Sequence, residues 1–351
     1  MEPTTGPLTF EELQLAARNK GMPLEALRYD LTPTGLHYLL VHFDIPFVDA
    51  QKWRLRFGGA VERPFELTLD DVRAMSRVTL PVTLECAGNG RARLSPRPIS
   101  QPWLFEAIGT AEWTGTPLRP LLERAGVRTD AVEIVFTGVD RGVQAGDEHD
   151  YARSLTLAEA SRDEVILAYE MNGLPLEPQH GFPLRLVVPG WYGMTSVKWL
   201  KSIEAVTEPF TGYQQAGTYI YKDDPTDHGT PVQRIRPRAL MVPPGIPEFF
   251  TRSRLVEAGR VELIGRAWSG HGSIERVEVG VDGTWMDATL GRPLGTHAWL
   301  SWTFDWAAEP GDHTLSCRAT DSAGNTQPTE SPWNYGGYSN TLAQEVSVTV
   351  R

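Results

Sequence analysis

The sequence predicts an α+β fold, a mixed domain followed by an all-β immunoglobulin-like sandwich. Three observations predict it. Gly and Pro are plentiful, 33 and 27 of 351 residues, and the chain carries eleven Trp, a composition of many turns rather than long helices. Strand-like and helix-like segments in the first two thirds do not alternate as a doubly wound sheet requires. The last hundred residues carry short period-two segments punctuated by turns. Length suggests about two domains at roughly 150 residues each, divided as an N-terminal extension 1–30, a cofactor-binding domain 31–230 and a sandwich 231–351.

Taken in order, Phe10–Asn19 reads as a helix, with Leu13, Ala16 and Ala17 at helical spacing behind a Thr9 cap and Glu12 three residues on. Trp53–Phe57 and Val78–Leu84 read as strands, and Leu69–Met75 and Pro117–Ala125 as short helices. Val132–Thr137, Val165–Met171 and Pro183–Val188 follow as strands, and Asn172-Gly173 signals a hairpin. Residues 222–247, with Pro231, Pro237, Pro243, Pro244 and Pro247, read as a linker. Beyond them Val261–Ala267, Ile274–Val281, Trp299–Asp305, His313–Thr320 and Gln344–Val350 alternate apolar and polar residues. The many Trp of this region are expected on its surface, as a subunit interface.

Charge excludes several functions. A net charge of −11 argues against nucleic acid or an anionic membrane as partner. No apolar run reaches the length of a membrane span, and Met1–Lys20 has neither an apolar signal core nor a twin-arginine pair, so a cytoplasmic location is expected. The two cysteines, Cys86 and Cys317, form no Cys-x-x-Cys, which excludes four-cysteine zinc and iron–sulfur sites.

Two segments carry chemistry. Pro81-Val-Thr-Leu-Glu-Cys-Ala-Gly-Asn-Gly-Arg91 delivers Cys86 at the end of an apolar strand, with glycines that let a ligand approach the backbone and an arginine five residues on. Cys86 is a buried turn residue, a nucleophile, or one soft ligand to a metal otherwise held by a cofactor. In the second segment, 180–199, Arg185 sits inside an apolar strand and so needs an anionic partner. Gly190, Gly193, Ser196 and Lys198 follow it. Lysine is scarce, five of the 33 basic residues, so its presence in a loop with backbone amides and a hydroxyl suits a phosphate monoester. His42 on an apolar stretch and Asp140 in Thr137-Gly-Val-Asp-Arg141 read as core and turn residues when taken alone.

Leu84-Glu-Cys-Ala-Gly-Asn-Gly-Arg91, His180-Gly-Phe-Pro-Leu-Arg185 and Ser196-Val-Lys-Trp-Leu200 together resemble the sulfite oxidase family of molybdenum enzymes, over roughly residues 30–351. Ala168–Leu176 looks like the family's hairpin. Gly265–Gly270, Val277–Gly283 and Trp333-Asn334 look like its C-terminal dimerisation domain. The resemblance implies molybdopterin as cofactor, with Cys86 as the protein's thiolate on molybdenum and His42, Asp140, His180, Arg185, Ser196 and Lys198 around the pterin and its phosphate. It implies Arg91, Trp103 and Tyr219 (Tyr221 as the alternative) beside a small oxyanion substrate. Two arginines of sulfite-oxidising members are missing, Leu40 and Gly336 standing in their places; Arg93, Arg97 and Arg141 are the cations near enough to compensate. The implied reaction is oxygen-atom transfer coupled to two-electron transfer on sulfite or a similar oxyanion, or in reverse, reduction of an S-oxide or N-oxide. A carrier without turnover is the reading from another class. No haem or flavin is expected in the chain, so electrons pass to a separate protein such as a small cytochrome, and a homodimer is expected.

Overall fold

The computed structural model describes residues 2–330 and 332–351. Its first domain holds two sheets. In one, β1 (Leu55–Gly59) pairs antiparallel with β2 (Phe65–Leu67) and parallel with a later strand, 200–206. The other begins with β3 (Val78–Glu85) and β4 (Ile108–Pro117), paired antiparallel from Val78–Gly115 to Glu85–Ile108. A long hairpin, β5 (Glu133–Gln144) and β6 (Asp147–Thr156), turns on Ala145 and Gly146, both at positive φ. β7 (Ile166–Met171), β8 (Leu174–Pro175) and β9 (Arg185–Val187) extend the second sheet, and β10 (Leu200–Val206) completes the first in the order β2-β1-β10-β5-β6.

Four short helices flank these sheets: α1 (Phe10–Arg18), α2 (Leu69–Arg73), α3 (Arg119–Ala125) and α4 (Leu157–Ala160). Thr9 caps α1 in a reciprocal capping box with Glu12. Glu12 is itself buried and bonded through both carboxylate oxygens to Arg97, at 2.7 and 2.9 Å, which ties the N-terminal segment to the first domain.

A ribbon of β11 (Ile220–Tyr221) and β12 (Thr230–Pro231) leads into the second domain. One sheet of that domain is β13 (Arg238–Met241), β16 (Gly259–Trp268), β20 (Leu300–Ala308) and β19 (Thr289–Leu290), in that order. The other runs β14 (Ile246–Pro247), β15 (Arg254–Val256), β22 (Gln344–Val350), β21 (Gly311–Asp321), β17 (Ile274–Val281), β18 (Thr284–Asp287). The alternation seen in sequence is the physical one: Val346, Val348 and Val350 point inward against Leu315, Cys317, Trp302 and Trp306.

Two expectations are corrected here. The segment 222–247 is not simply a linker, because Arg238–Met241 is a fully buried strand paired with β16. Its prolines bracket the strand rather than interrupt it. The tryptophans do not form an exposed face either. Trp268, Trp299, Trp302 and Trp306 are all buried, since their area is what fills the sandwich core and the seam between domains. At that seam Trp299 donates its indole N–H to the Asp30 carbonyl, and its amide to the Thr83 hydroxyl.

The sequence reading also missed β4, β6 and β10. β4 is buried nearly throughout and rich in Gly, Thr and Ala, so it shows no alternation. The β5–β6 tip is polar and reads as loop, although cross-strand pairing holds it.

Candidate active site

β3 ends at Glu85, and the chain turns at once through Cys86, Ala87, Gly88, Asn89 and Gly90. The Cys86 amide donates to the Ala107 carbonyl at 2.9 Å, and the Asn89 side chain bridges Glu85 and the Ala107 amide. Two glycines are required by what crowds them. A Cβ on Gly88 would lie 2.5 Å from Arg91 Nη1, so glycine lets Arg91 fold back beside Cys86. Gly90 has φ +90° and faces the Asn340 carbonyl, where a Cβ would sit at 2.5 Å.

Beneath this loop a buried ion pair anchors the strand. Arg238 Nε lies 2.8 Å from Glu85 Oε1 with both side chains fully buried, although its N–H is not aimed along that line. Glu85 also accepts from the Trp268 indole at 2.8 Å and from Asn89 at 3.0 Å. Arg238 Nη2 donates to the Asn340 carbonyl at 2.6 Å. The residue preceding Cys86 is thus pinned by β13 and β16 of the second domain.

Two cavities meet at Cys86, Leu40 and His42. The inner one is narrow, about 60 Å³, and gathers His42, Asp140, His180, Arg185, Ser196 and Lys198 around Cys86. The outer one is about 540 Å³ and includes Arg91, Trp103 and Tyr219. All ten residues singled out from sequence therefore fall on the two connected spaces.

The inner cavity holds two cations, Arg185 and Lys198, and one carboxylate, Asp140. Arg185 donates to the carbonyls of His180 (3.0 Å) and Ser196 (3.2 Å) and stacks on Trp113 at 4.6 Å. No carboxylate among the described residues pairs with it, so an internal Arg–Glu pair is not its explanation. Burial lowers its pKa to about 10. Lys198 Nζ donates to the carbonyls of Leu40 (2.8 Å) and Gln179 (3.2 Å), leaving one of three N–H bonds for a ligand. Its withdrawal from water, reinforced by Arg185, lowers its pKa to about 7. The Ser196 hydroxyl accepts from the Val188 amide and retains its own proton to donate. Asp140 is buried at the bulge between Thr137 and Arg141, with Oδ1 unpartnered. Burial raises its carboxyl to about 7 against the pull of Lys198. His180 and His42 are held neutral chiefly by desolvation, at about 2 and about 3.

These donors suit a phosphate and a polar heterocycle: two unneutralised cations, a free hydroxyl proton and an orphaned carboxylate oxygen face one narrow space.

The outer cavity is different in character. Arg91 is buried, donates to the Gly336 carbonyl at 3.2 Å and packs over the Tyr338 ring at 5.1 Å, again without a carboxylate. Burial raises the Cys86 thiol pKa, while Arg91 and the neighbouring Gly88 amide and Trp103 indole pull it down. The Trp103 N–H is buried and makes no hydrogen bond of ordinary geometry, so it remains available beside the sulfur. Tyr219, at φ +57°, directs its hydroxyl to His42 Nε2 at 2.6 Å.

Tyr221 bonds to Ser339 instead and lies outside both cavities. Of the arginines near enough in sequence to compensate, Arg97 is committed to Glu12 and Arg93 lies on Phe105; neither lines the outer cavity. Arg141 does line it but is paired with Glu148 at 2.8 Å.

Several contributors escaped the sequence reading. Tyr38 and Tyr151 line the inner cavity, the latter held by the Met194 carbonyl at 2.7 Å. Arg153 is buried behind the Tyr219 ring, 5.8 Å from its centroid, and donates to the Gln214 carbonyl. The alternation of Tyr151, Arg153 and Leu155 could have exposed that face of β6 had the strand been recognised.

Comparison with known proteins agrees with this geometry. A family model described as the oxidoreductase molybdopterin binding domain matches residues 42–214, and one described as the Mo-co oxidoreductase dimerisation domain matches 246–351. The chain is 33% identical over 352 residues to sulfite oxidase of Arabidopsis thaliana, covering 89% of this chain and 86% of that one. It is 34% identical over 341 residues to mitochondrial sulfite oxidase of Mus musculus, covering 91% of this chain. It is 31% identical over 357 residues to nitrate reductase (NADH) 1 of Oryza sativa subsp. japonica, again covering 91% of this chain. It spans only 62% and 38% of the lengths of those last two relatives. The solved structure of the sulfane dehydrogenase SoxCD from Paracoccus pantotrophus shares the fold, with a TM-score of 0.82 at 24% identity, over 99% of this chain and 93% of that one.

Proposed function

The chain belongs to the sulfite oxidase family of molybdopterin-dependent oxidoreductases, and from that premise we propose that it oxidises a small sulfur oxyanion, sulfite in the parent case, by oxygen-atom transfer coupled to two-electron transfer. The observation that carries the reading is the place of Cys86, where a cleft holding Arg185 and Lys198 meets a cavity holding Arg91.

When bound, the molybdenum centre supplies a transferable oxygen atom and takes up two electrons. Cys86 would contribute a single soft thiolate to it; burial opposes ionisation of the free thiol and Arg91 favours it. Arg185, Lys198 and Ser196 grip the cofactor's phosphate, while His42, His180 and Asp140 contact the polar edges of the pterin. Arg91 draws the substrate anion into the outer cavity and holds it in one orientation. Tyr219 is fixed by its bond to His42 and hydrogen-bonds the substrate. Trp103 supplies an indole N–H beside the sulfur.

Electrons leave to a separate redox protein such as a small cytochrome, and the C-terminal sandwich joins two copies. A second reading, reduction of an S-oxide or N-oxide, draws support from the small number of cations on the outer cavity. Molybdenum analysis of purified protein, with steady-state assays of sulfite plus ferricyanide and of sulfoxide plus reduced viologen, tests both. Cys86→Ser is expected to abolish turnover with pterin retained. An unchanged rate would refute the ligand assignment, and full metal loading without turnover of either substrate class would refute the reaction.

A further inference from the structure

The outer cavity is larger and less charged than a four-atom dianion requires. Its volume, about 540 Å³, falls within the roughly 300–1,000 Å³ that encloses drug-sized ligands. Sulfite has the bulk of only about two waters at ~30 Å³ each, so even with the end beside Cys86 given to the metal centre, most of this space stays unfilled.

Its lining mixes polar groups (Ser100, Gln101, Gln144, Thr218) with four apolar side chains from separate segments. Leu15 comes from α1, Phe43 from the segment after His42, Ile99 from the loop after Arg91, and Val143 from the β5–β6 hairpin. Val143 is 68% exposed, an apolar residue held at the mouth. The charge is correspondingly small. Arg91 is the one buried cation lining this cavity among the described residues. Arg141 is neutralised by Glu148, exposed Arg18 stands at the rim with Asp44, and Arg153 lies behind Tyr219 without reaching the cavity.

One buried cation and these four apolar side chains complement a monoanion with a hydrocarbon tail. Resting on the sulfur-oxyanion reading above, we propose that the substrate is an organic sulfinate, R–SO2⁻, oxidised to the sulfonate R–SO3⁻. A sulfinate keeps the sulfur lone pair of sulfite and replaces one oxyanion by carbon, which suits both features. The reaction balances as R–SO2⁻ + H2O → R–SO3⁻ + 2H⁺ + 2e⁻. One S–O bond forms, the two O–H bonds of water break, and the two electrons pass to two equivalents of a one-electron acceptor such as ferricyanide. Arg91 holds the sulfinate oxygens, and Leu15, Phe43, Ile99 and Val143 cover R.

The test uses molybdenum-loaded holoenzyme. Benzenesulfinate and sulfite are compared by kcat/KM with ferricyanide, and benzenesulfonate and sulfate are titrated against tryptophan fluorescence, a signal independent of turnover. A single methylene in an apolar pocket discriminates by about 10–200-fold. Benzenesulfinate is therefore expected to exceed sulfite by about tenfold or more, and benzenesulfonate to bind tighter than sulfate by a similar factor. Ile99→Asp, on a half-buried loop, is expected to reduce both ratios. Sulfite matching or exceeding benzenesulfinate overturns the proposal while leaving sulfur-oxyanion oxidation intact. If neither anion is turned over, that oxidation itself falls, and sulfonate binding no tighter than sulfate then overturns the apolar subsite as well.

Discussion

Arg238→Met removes the buried cation that faces Glu85, the residue immediately before Cys86. Both side chains of the pair are fully buried at 2.8 Å, and methionine nearly preserves the volume. The variant leaves a carboxylate with two neutral donors, Trp268 and Asn89, and no counter-charge. Breaking one side of a buried pair costs about 3–5 kcal/mol. At roughly 2–4 °C per kcal/mol for a domain of this size, the melting temperature is expected to fall by about 6–20 °C. Calorimetric melts of wild type, Arg238→Met, Glu85→Gln and the double variant measure this. The double variant should recover much of the loss, because neither charge is then left alone. A single variant within about 1 kcal/mol of wild type, or a double variant worse than the sum of the singles, would refute the reasoning.

Three further outcomes are expected. Arg185→Ala removes two N–H donors from the anion side of the inner cleft; at about 1.5–3 kcal/mol per charge-assisted bond, pterin affinity should drop roughly 10²–10⁴-fold, read as pterin content after gel filtration. Lys198→Met acts on cofactor-free protein through pH. Wild-type Lys198 is depressed from 10.5 to about 7, so it carries a charge-burial penalty that is full below pH 7 and relieved as pH rises toward 10.5. Wild type should therefore gain stability relative to Lys198→Met across that window, and parallel curves would count against a buried ammonium. Tyr219→Phe leaves His42 Nε2 without its hydrogen-bond partner, a loss of about 1–3 kcal/mol. It is expected to lower kcat while molybdenum and pterin content hold; an unaltered kcat would remove Tyr219 from the reacting site.

Much of the site was legible in local sequence because its chemistry is local. An apolar strand ending at Cys86 before Gly88, Gly90 and Arg91 displays a reactive loop. Arg185 within an apolar strand announces a buried cation, and the structure places it without a carboxylate. Asp140 and His42 were legible only by resemblance, since a lone Asp near a turn or a lone His on an apolar stretch has a commoner structural explanation. Arg153 and Tyr151 were missed with β6, because a polar hairpin held by cross-strand bonds carries no hydrophobic signature. The buried tryptophans were misplaced for a related reason: composition cannot tell a core aromatic from an interface one.

The chain by itself determined its α+β order, the period-two sandwich and the two loops that bear the chemistry, because each depends on neighbours a few residues apart. Tertiary structure alone decided that Glu85 meets Arg238 and Trp268, that Tyr219 rather than Tyr221 reaches His42, and that Arg91 is the one buried cation lining the outer cavity among the described residues. The contacts of Glu85 with Arg238 and Trp268, and of Tyr219 with His42, join residues more than 150 positions apart. Which partners meet across such distances is set by sheet register and domain docking, to which no local pattern of residues corresponds.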